Sequence, residues 1–168
     1  MADETFIEKI TINEISGKNA AIHAYDDMIW KVRSGFLTLV FAGWSLLIKT
    51  AIENKLSLTQ ILPYVFILSG FSLALAIGGY KIDTNYVKRK FRVINGLNKL
   101  TEITATVNIN LQGIQQNVLI ELLKILGDSF NDKYKSKAYK NEINVSRIIY
   151  FIPSLLVISI LLYYQIKH

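Results

Sequence analysis

The sequence predicts an all-α integral membrane protein with three transmembrane helices, a helical cytoplasmic region and a homo-oligomeric assembly. Three observations carry that reading. The 19 Lys and Arg and the 13 Asp and Glu residues all lie outside three stretches, Ser34–Ile48, Leu56–Tyr80 and Ile148–Ile166, which are 15, 25 and 19 residues long. A single soluble core does not segregate its charges so completely, and a charge-free run of about 18 residues or more matches the ~30 Å of hydrocarbon that a helix rising ~1.5 Å per residue has to cross. Outside those stretches the apolar residues recur at helical spacing, and inside the second one small residues lie four apart, where helix backbones can approach. The chain divides into a cytoplasmic N-terminal segment (1–33), a two-span hairpin (34–80), a basic cytoplasmic region (81–147) and a third span with a short tail (148–168).

Phe6, Ile7, Ile10, Ile12 and Ile15 form a short amphipathic lead, and Ser16-Gly17 is the expected break after it. From Lys18 to Arg33 the residues Ala21, Tyr25, Met28, Ile29 and Val32 predict a helix that feeds the first span. That span is short, but Arg33 and Lys49 can carry their charged ends to the interface on apolar stems, which extends the usable length through Ala51 and Ile52. Its Gly35, Phe36, Leu39, Phe41, Trp44 and Leu47 cover the whole circumference and leave no polar face. Met1 to Glu8 lack the basic start and apolar centre of a signal peptide, so this span is expected to act as its own signal anchor.

The second span runs from Ile61 or Leu62 to Tyr80, with Pro63 in its opening turn, where a missing N–H costs little. Beyond Tyr80, the residues Ile82, Tyr86, Val87, Phe91, Ile94, Leu97 and Leu100 keep helical spacing, so the span is expected to continue into the cytoplasm as a rod. Ile103 to Leu111 alternates apolar and polar like a strand, yet Leu100, Ile103, Val107, Leu111 and Ile114 also form a helical stripe. The helix is favoured because a lone strand would leave both edges unpaired. Ile114 to Leu126 predicts a helix stopped by Gly127, apolar enough that a second copy is expected to cover part of it. The third span, Ile148 to Ile166, carries Pro153 one turn in.

Orientation follows from the basic residues, which are retained on the cytoplasmic side. Four precede the first span, two lie in the Lys49–Ile61 hairpin, twelve lie between Lys81 and Arg147, and one is in the tail. An N-terminus inside the cell therefore places sixteen inside against three outside. Trp30, Tyr80 and Tyr150 are expected at the inner boundary, with Tyr64, Tyr163 and Tyr164 at the outer one.

Cysteine is absent and only His23 and His168 supply imidazoles, which removes disulfides, thiolate nucleophiles and cysteine-held metals. His23 and Asp27 lie four apart, but a metal needs further ligands; pairing of Asp26 or Asp27 with the basic rod is the expected outcome, and no metal or cofactor is predicted. No glycine-rich phosphate loop, nucleophile elbow or carboxylate pair stands out, so no enzymatic activity is expected.

Gly70, Ala74 and Gly78, with Ser72 and Ala76 alongside, offer a packing face on the second span, and Gly35, Thr38, Ala42 and Ser45 offer another on the first. Either the two spans pack on each other within the chain, or one face packs inside and the other against a second copy. Lys88, Arg89, Lys90 and Arg92 lie 8 to 12 residues past Tyr80, roughly 12 to 18 Å along a helix and beyond the ~8 Å Debye length, so headgroup attraction is weak there. They form either a solvated, topology-fixing face or an anion site for a nucleotide or nucleic-acid phosphate. A second basic set, Lys133, Lys135, Lys137 and Lys140 with Tyr134 and Tyr139, is expected in a loop before the third span, where topology and membrane lipid account for it.

A cytoplasmic helix (Tyr25-Asp-Asp-Met-Ile-Trp-Lys-Val-Arg33) entering a tight hairpin, then a basic rod (Tyr80-Lys-Ile-Asp-Thr-Asn-Tyr-Val-Lys-Arg-Lys-Phe-Arg92), resembles the small SLATT-type membrane effectors of bacterial anti-phage systems. The likeness covers roughly residues 18 to 100 and is one of layout; the third span departs from the simple two-span form. It implies a homo-oligomeric pore in the inner membrane, closed until a nucleotide or nucleic-acid signal changes, with a nucleotide-synthesising enzyme as partner and depolarisation of the infected cell as outcome.

Overall fold

The computed structural model describes residues 6–107 and 136–167. These residues form three helices, α1 (Phe6–Glu53), α2 (Leu58–Val107) and α3 (Lys137–Lys167). Two of them, over Thr11–Glu53 and Thr59–Glu102, are long and apolar enough to cross a membrane.

The expected break at Ser16-Gly17 does not occur, since α1 runs through it. A glycine inside a helix costs about 1 kcal/mol, which a helix of 48 residues absorbs, and the Glu14–Lys18 pair at 3.5 Å spans the position. The turn after α1 is closed by local chemistry. Leu56 N–H donates to Ala51 O at 3.0 Å and Lys55 N–H to Ile52 O at 3.2 Å, with Lys55 in the left-handed region (φ 48°). This six-to-one and five-to-two pairing satisfies the last carbonyls of α1. Ser57 then caps α2: its N–H donates to Gln60 Oε1 at 2.8 Å, the reciprocal half of a capping box.

Because α2 starts at Leu58, Pro63 lies in its second turn rather than its first, and α3 starts so early that Pro153 lies in its interior. Tyr139 N–H donates to Ser136 Oγ at 3.2 Å, which caps α3, so Lys137, Tyr139 and Lys140 are helical and not part of a loop. The stretch Ile103 to Val107, ambiguous in sequence, is helical. Residues 108–112, the helix expected over Ile114 to Leu126 with Gly127, and Lys133, Tyr134 and Lys135 lie outside the described residues, as do the side chains of Tyr163 and Tyr164.

The chain forms two compact units, Met28–Asn85 with Lys140–His168, and Met1–Asp27 with Tyr86–Tyr139. In the first, Phe36, Val40, Ala76 and Tyr150 form the core, bordered by Val32, Leu37, Trp44, Leu75, Tyr80, Ile149 and Phe151. The rings of Phe36 and Tyr150 lie 4.8 Å apart, and those of Tyr80 and Phe151 meet edge-on at 5.4 Å. Its large apolar side chains also point outward, among them Leu39, Phe41, Leu46, Phe66, Ile67 and Phe71. In the second unit, Val87, Phe91 and Leu100 are buried, Phe91 meets Tyr139 edge-on at 5.5 Å, and Tyr25 lies 6.4 Å from Tyr86.

Candidate functional site

Inside the Met28–Asn85 and Lys140–His168 unit, one polar cluster ties all three helices together. Residues 29, 33, 36 and 40 share the inner face of α1, 72, 76 and 83 that of α2, and 142, 146, 150 and 154 that of α3, as three- and four-residue spacing requires. Arg33 is the hub. Its Nε donates to Asp83 Oδ2 at 3.0 Å on α2, and its Nη2 reaches Glu142 Oε1 at 2.9 Å and Ser146 Oγ at 3.0 Å on α3. Ser146 in turn donates to Glu142 O at 3.1 Å.

Asp83 is wholly buried, Glu142 is about a quarter exposed and the Arg33 side chain is almost covered. An ion pair so enclosed needs each partner, because removing one strands a desolvated charge. Beside it, Arg147 Nε donates to the Tyr80 hydroxyl at 3.3 Å on the exposed flank. Farther along α1 and α2, Trp44 Nε1 donates to Ser72 Oγ at 3.3 Å, a second polar link between two apolar helices. Tyr150 is fully buried in the core.

Glycines mark where the helices of this unit come close. A Cβ at Gly79 would stand 2.6 Å from Tyr150 Cε1, and one at Gly43 would stand 3.0 Å from Leu68 Cδ1. The predicted packing residues lie elsewhere: Gly70, Ala74 and Gly78 are exposed, and a Cβ at Gly70 or Gly78 would meet nothing within 4 Å. Gly35, Thr38, Ala42 and Ser45 are exposed as well. The internal contact therefore uses Ser72, Ala76 and Gly79 and leaves both stripes outward. An apolar groove of about 640 Å³, lined by Gly43, Leu47, Leu68 and Phe71 among others, opens between α1 and α2.

In the Met1–Asp27 and Tyr86–Tyr139 unit, the basic cluster does not act as one face. Lys88, Arg89 and Arg92 are exposed, within an arc of ~100° at ~100° per residue, whereas Lys90 turns away to Asp26 Oδ1 at 2.6 Å. Pairing of Asp26 with the rod is as the sequence suggested, and it leaves three outward cations. His23 is exposed, and among the described residues no group of three or more His, Cys, Asp or Glu is placed to hold a metal.

In the sequence Arg33 borders the first span as a snorkelling end would, and nothing beside it in the chain points to the cluster. A signal did exist: Asp83 is the sole acid between Lys81 and Arg92, and Glu142 the sole acid between Lys137 and Arg147. Acids so isolated within basic stretches that border charge-free runs are candidates for inward pairing. Compared with family models, with curated proteins and with solved structures, the chain gives no match.

Proposed function

We propose that this chain is a multi-pass inner-membrane protein with a cytoplasmic N-terminus, and that its copies assemble into an effector or ion channel gated from the cytoplasm. α3 serves as the third span, and the signal is a nucleotide or single-stranded nucleic acid, as in the SLATT-type effectors of anti-phage defence that the layout resembles. The observation that carries this reading is the outward position of both small-residue stripes, Gly70-Ala74-Gly78 and Gly35-Thr38-Ala42-Ser45, in a unit whose own packing does not use them. In lipid, where apolar burial gives helices no reason to associate, such stripes are where a second copy can approach closely. Lys88, Arg89 and Arg92 are the cations left for a phosphate, and α2 carries them on the same uninterrupted helix as Gly70.

A second reading has one observation in its favour. The interior of the unit is filled by Phe36, Val40, Ala76 and Tyr150, so conduction requires a path between copies, and a filled bundle also suits a non-conducting scaffold that anchors a cytoplasmic partner. Planar-bilayer recording of purified protein with cyclic nucleotides and short DNA separates the two. Ligand-dependent conductance that disappears in Arg89→Glu/Arg92→Glu supports the channel. Folded protein that stays silent with every ligand supports the scaffold.

A further inference from the structure

The basic ends of two charge-free runs meet at one seam of the Met28–Asn85 and Lys140–His168 unit. Lys81 directly follows the run that ends at Tyr80, and Arg147 directly precedes the run that starts at Ile148. The two ends are held level. Arg147 Nε of α3 donates to the Tyr80 hydroxyl of α2 at 3.3 Å, and the Tyr80 and Phe151 rings meet edge-on at 5.4 Å. On the apolar side of this junction stand Ile77, three residues before Tyr80, and Leu155, four residues past Phe151, and both are exposed. On the other side Lys140 is exposed as well, two turns before Arg147 on the same face of α3 and ~10 Å along it.

The seam is positive and its charge is not neutralised from within. Among the described residues, no acidic side chain pairs with Lys81, Lys140 or Arg147. The nearest acids of the unit face elsewhere: Asp83 is buried against Arg33, and Glu142, which also pairs with Arg33, stands ~140° around α3 from Arg147 at ~100° per residue. Arg147 spends its Nε on a neutral hydroxyl. That bond orients the guanidinium and leaves its Nη groups for an anion, in the fork that suits a phosphate.

The apolar flank decides what carries the phosphate. A soluble anion has no use for Ile77, Phe151 and Leu155 beneath the charges, whereas an anionic lipid matches both halves of the seam. We propose that the α2–α3 seam at Tyr80 and Arg147 binds one anionic phospholipid, with its phosphate on the Arg147 guanidinium, Lys81 and Lys140 strengthening the positive field, and an acyl chain over Ile77, Phe151 and Leu155. The site rests on the membrane placement proposed above and is independent of conduction and of any nucleotide. Occupancy stabilises the folded bundle, since only the folded chain brings Tyr80 and Arg147 together.

The test uses the full-length protein in detergent micelles doped with phospholipid, with helix unfolding followed by circular dichroism. Dioleoylphosphatidylglycerol raises Tm saturably, by about 3 °C or more over the same mole fraction of dioleoylphosphatidylcholine. Glycerol 3-phosphate, which brings the phosphate without the chain, gives no rise. Arg147→Gln removes the difference between the two lipids. Tyr80→Phe keeps the ring contact but frees the guanidinium, and it weakens the apparent affinity several-fold. Lys55→Gln removes the same charge at the hairpin turn and keeps the full difference. Equal Tm in the two lipids, an equal rise with glycerol 3-phosphate, the full difference in Arg147→Gln or its loss in Lys55→Gln each overturns the proposal. Alkaline carbonate extraction of cell membranes reads the placement separately. Release of the protein overturns the placement and the site together, whereas retention without a lipid difference overturns the site alone.

Discussion

In the unit built from Met28–Asn85 and Lys140–His168, Leu39, Phe41, Ile67 and Phe71 point outward while Arg33, Asp83 and Ser146 lie inside. In the unit built from Met1–Asp27 and Tyr86–Tyr139 the order is the reverse: Val87, Phe91 and Leu100 lie inside, and Lys88, Arg89 and Arg92 point outward. The same two helices, α1 and α2, supply both. The difference teaches that the surroundings, more than helix propensity, decide which face is turned in. Water rewards burial of apolar area, so the second unit hides its rings. Lipid rewards no such burial, so under the proposed membrane placement the first unit is free to show leucine and phenylalanine outward and has to satisfy its charges and hydroxyls internally.

Charge removal should break this comparison most sharply. Arg33→Leu strands the buried Asp83 and is expected to cost about 3–5 kcal/mol, read as a loss of stability in detergent unfolding. The double variant Arg33→Leu/Asp83→Leu should recover much of that loss, because apolar residues of similar size replace a buried pair well. In the other unit Lys90→Ala should cost no more than about 1 kcal/mol, since Asp26 is half exposed and water takes the place of the lysine.

Next in size is the contrast between glycines of α2. Gly79→Val drives atoms into the Tyr150 ring and should cost about 1–3 kcal/mol, whereas Gly70→Ala and Gly78→Ala meet open space and should change protomer stability by less than about 0.5 kcal/mol. Bulkier changes on the outward stripe, Gly70→Leu with Ala74→Leu, sharpen the point: they should lower the mass of the assembled particle in analytical ultracentrifugation without unfolding the protomer. Unchanged mass would leave that stripe to lipid. Smaller again, Trp44→Phe removes the bond to Ser72 and should cost about 1 kcal/mol. Smallest is Lys55→Gly, which relieves a left-handed residue and should stabilise the hairpin by about 0.5–1 kcal/mol.

Helix positions were legible because charge-free runs and apolar stripes are local signals, and so were the pairing of Asp26 with the rod and the continuation of α2 through Ile103. Helix starts were less legible. Ser16-Gly17 looked like a stop because glycine is a strong punctuator, yet a helix long on both sides outweighs its cost. Leu58 and Lys137 open their helices well before the apolar runs begin, since Ser57 and Ser136 supply the caps. The Arg33 cluster was hidden because its partners lie 50 and 113 positions away for Asp83 and Ser146, and periodicity says nothing about which inward faces meet. The small-residue stripes were legible as residues but not as contacts: Gly79, one position from Gly78, makes the close approach instead.

The central claim is that the outward apolar surface of the Met28–Asn85 unit faces lipid. The chain has no cysteine, so single cysteines can report it without a background. In cell membranes, a membrane-impermeant maleimide should label Asn54→Cys from the outer side and Lys88→Cys only after the cytoplasmic side is opened. Leu39→Cys and Ile67→Cys should stay unlabelled under both conditions and become reactive only in denatured protein. Labelling of Leu39→Cys and Ile67→Cys in native membranes at the rate of Asn54→Cys would place that surface in water and contradict the account.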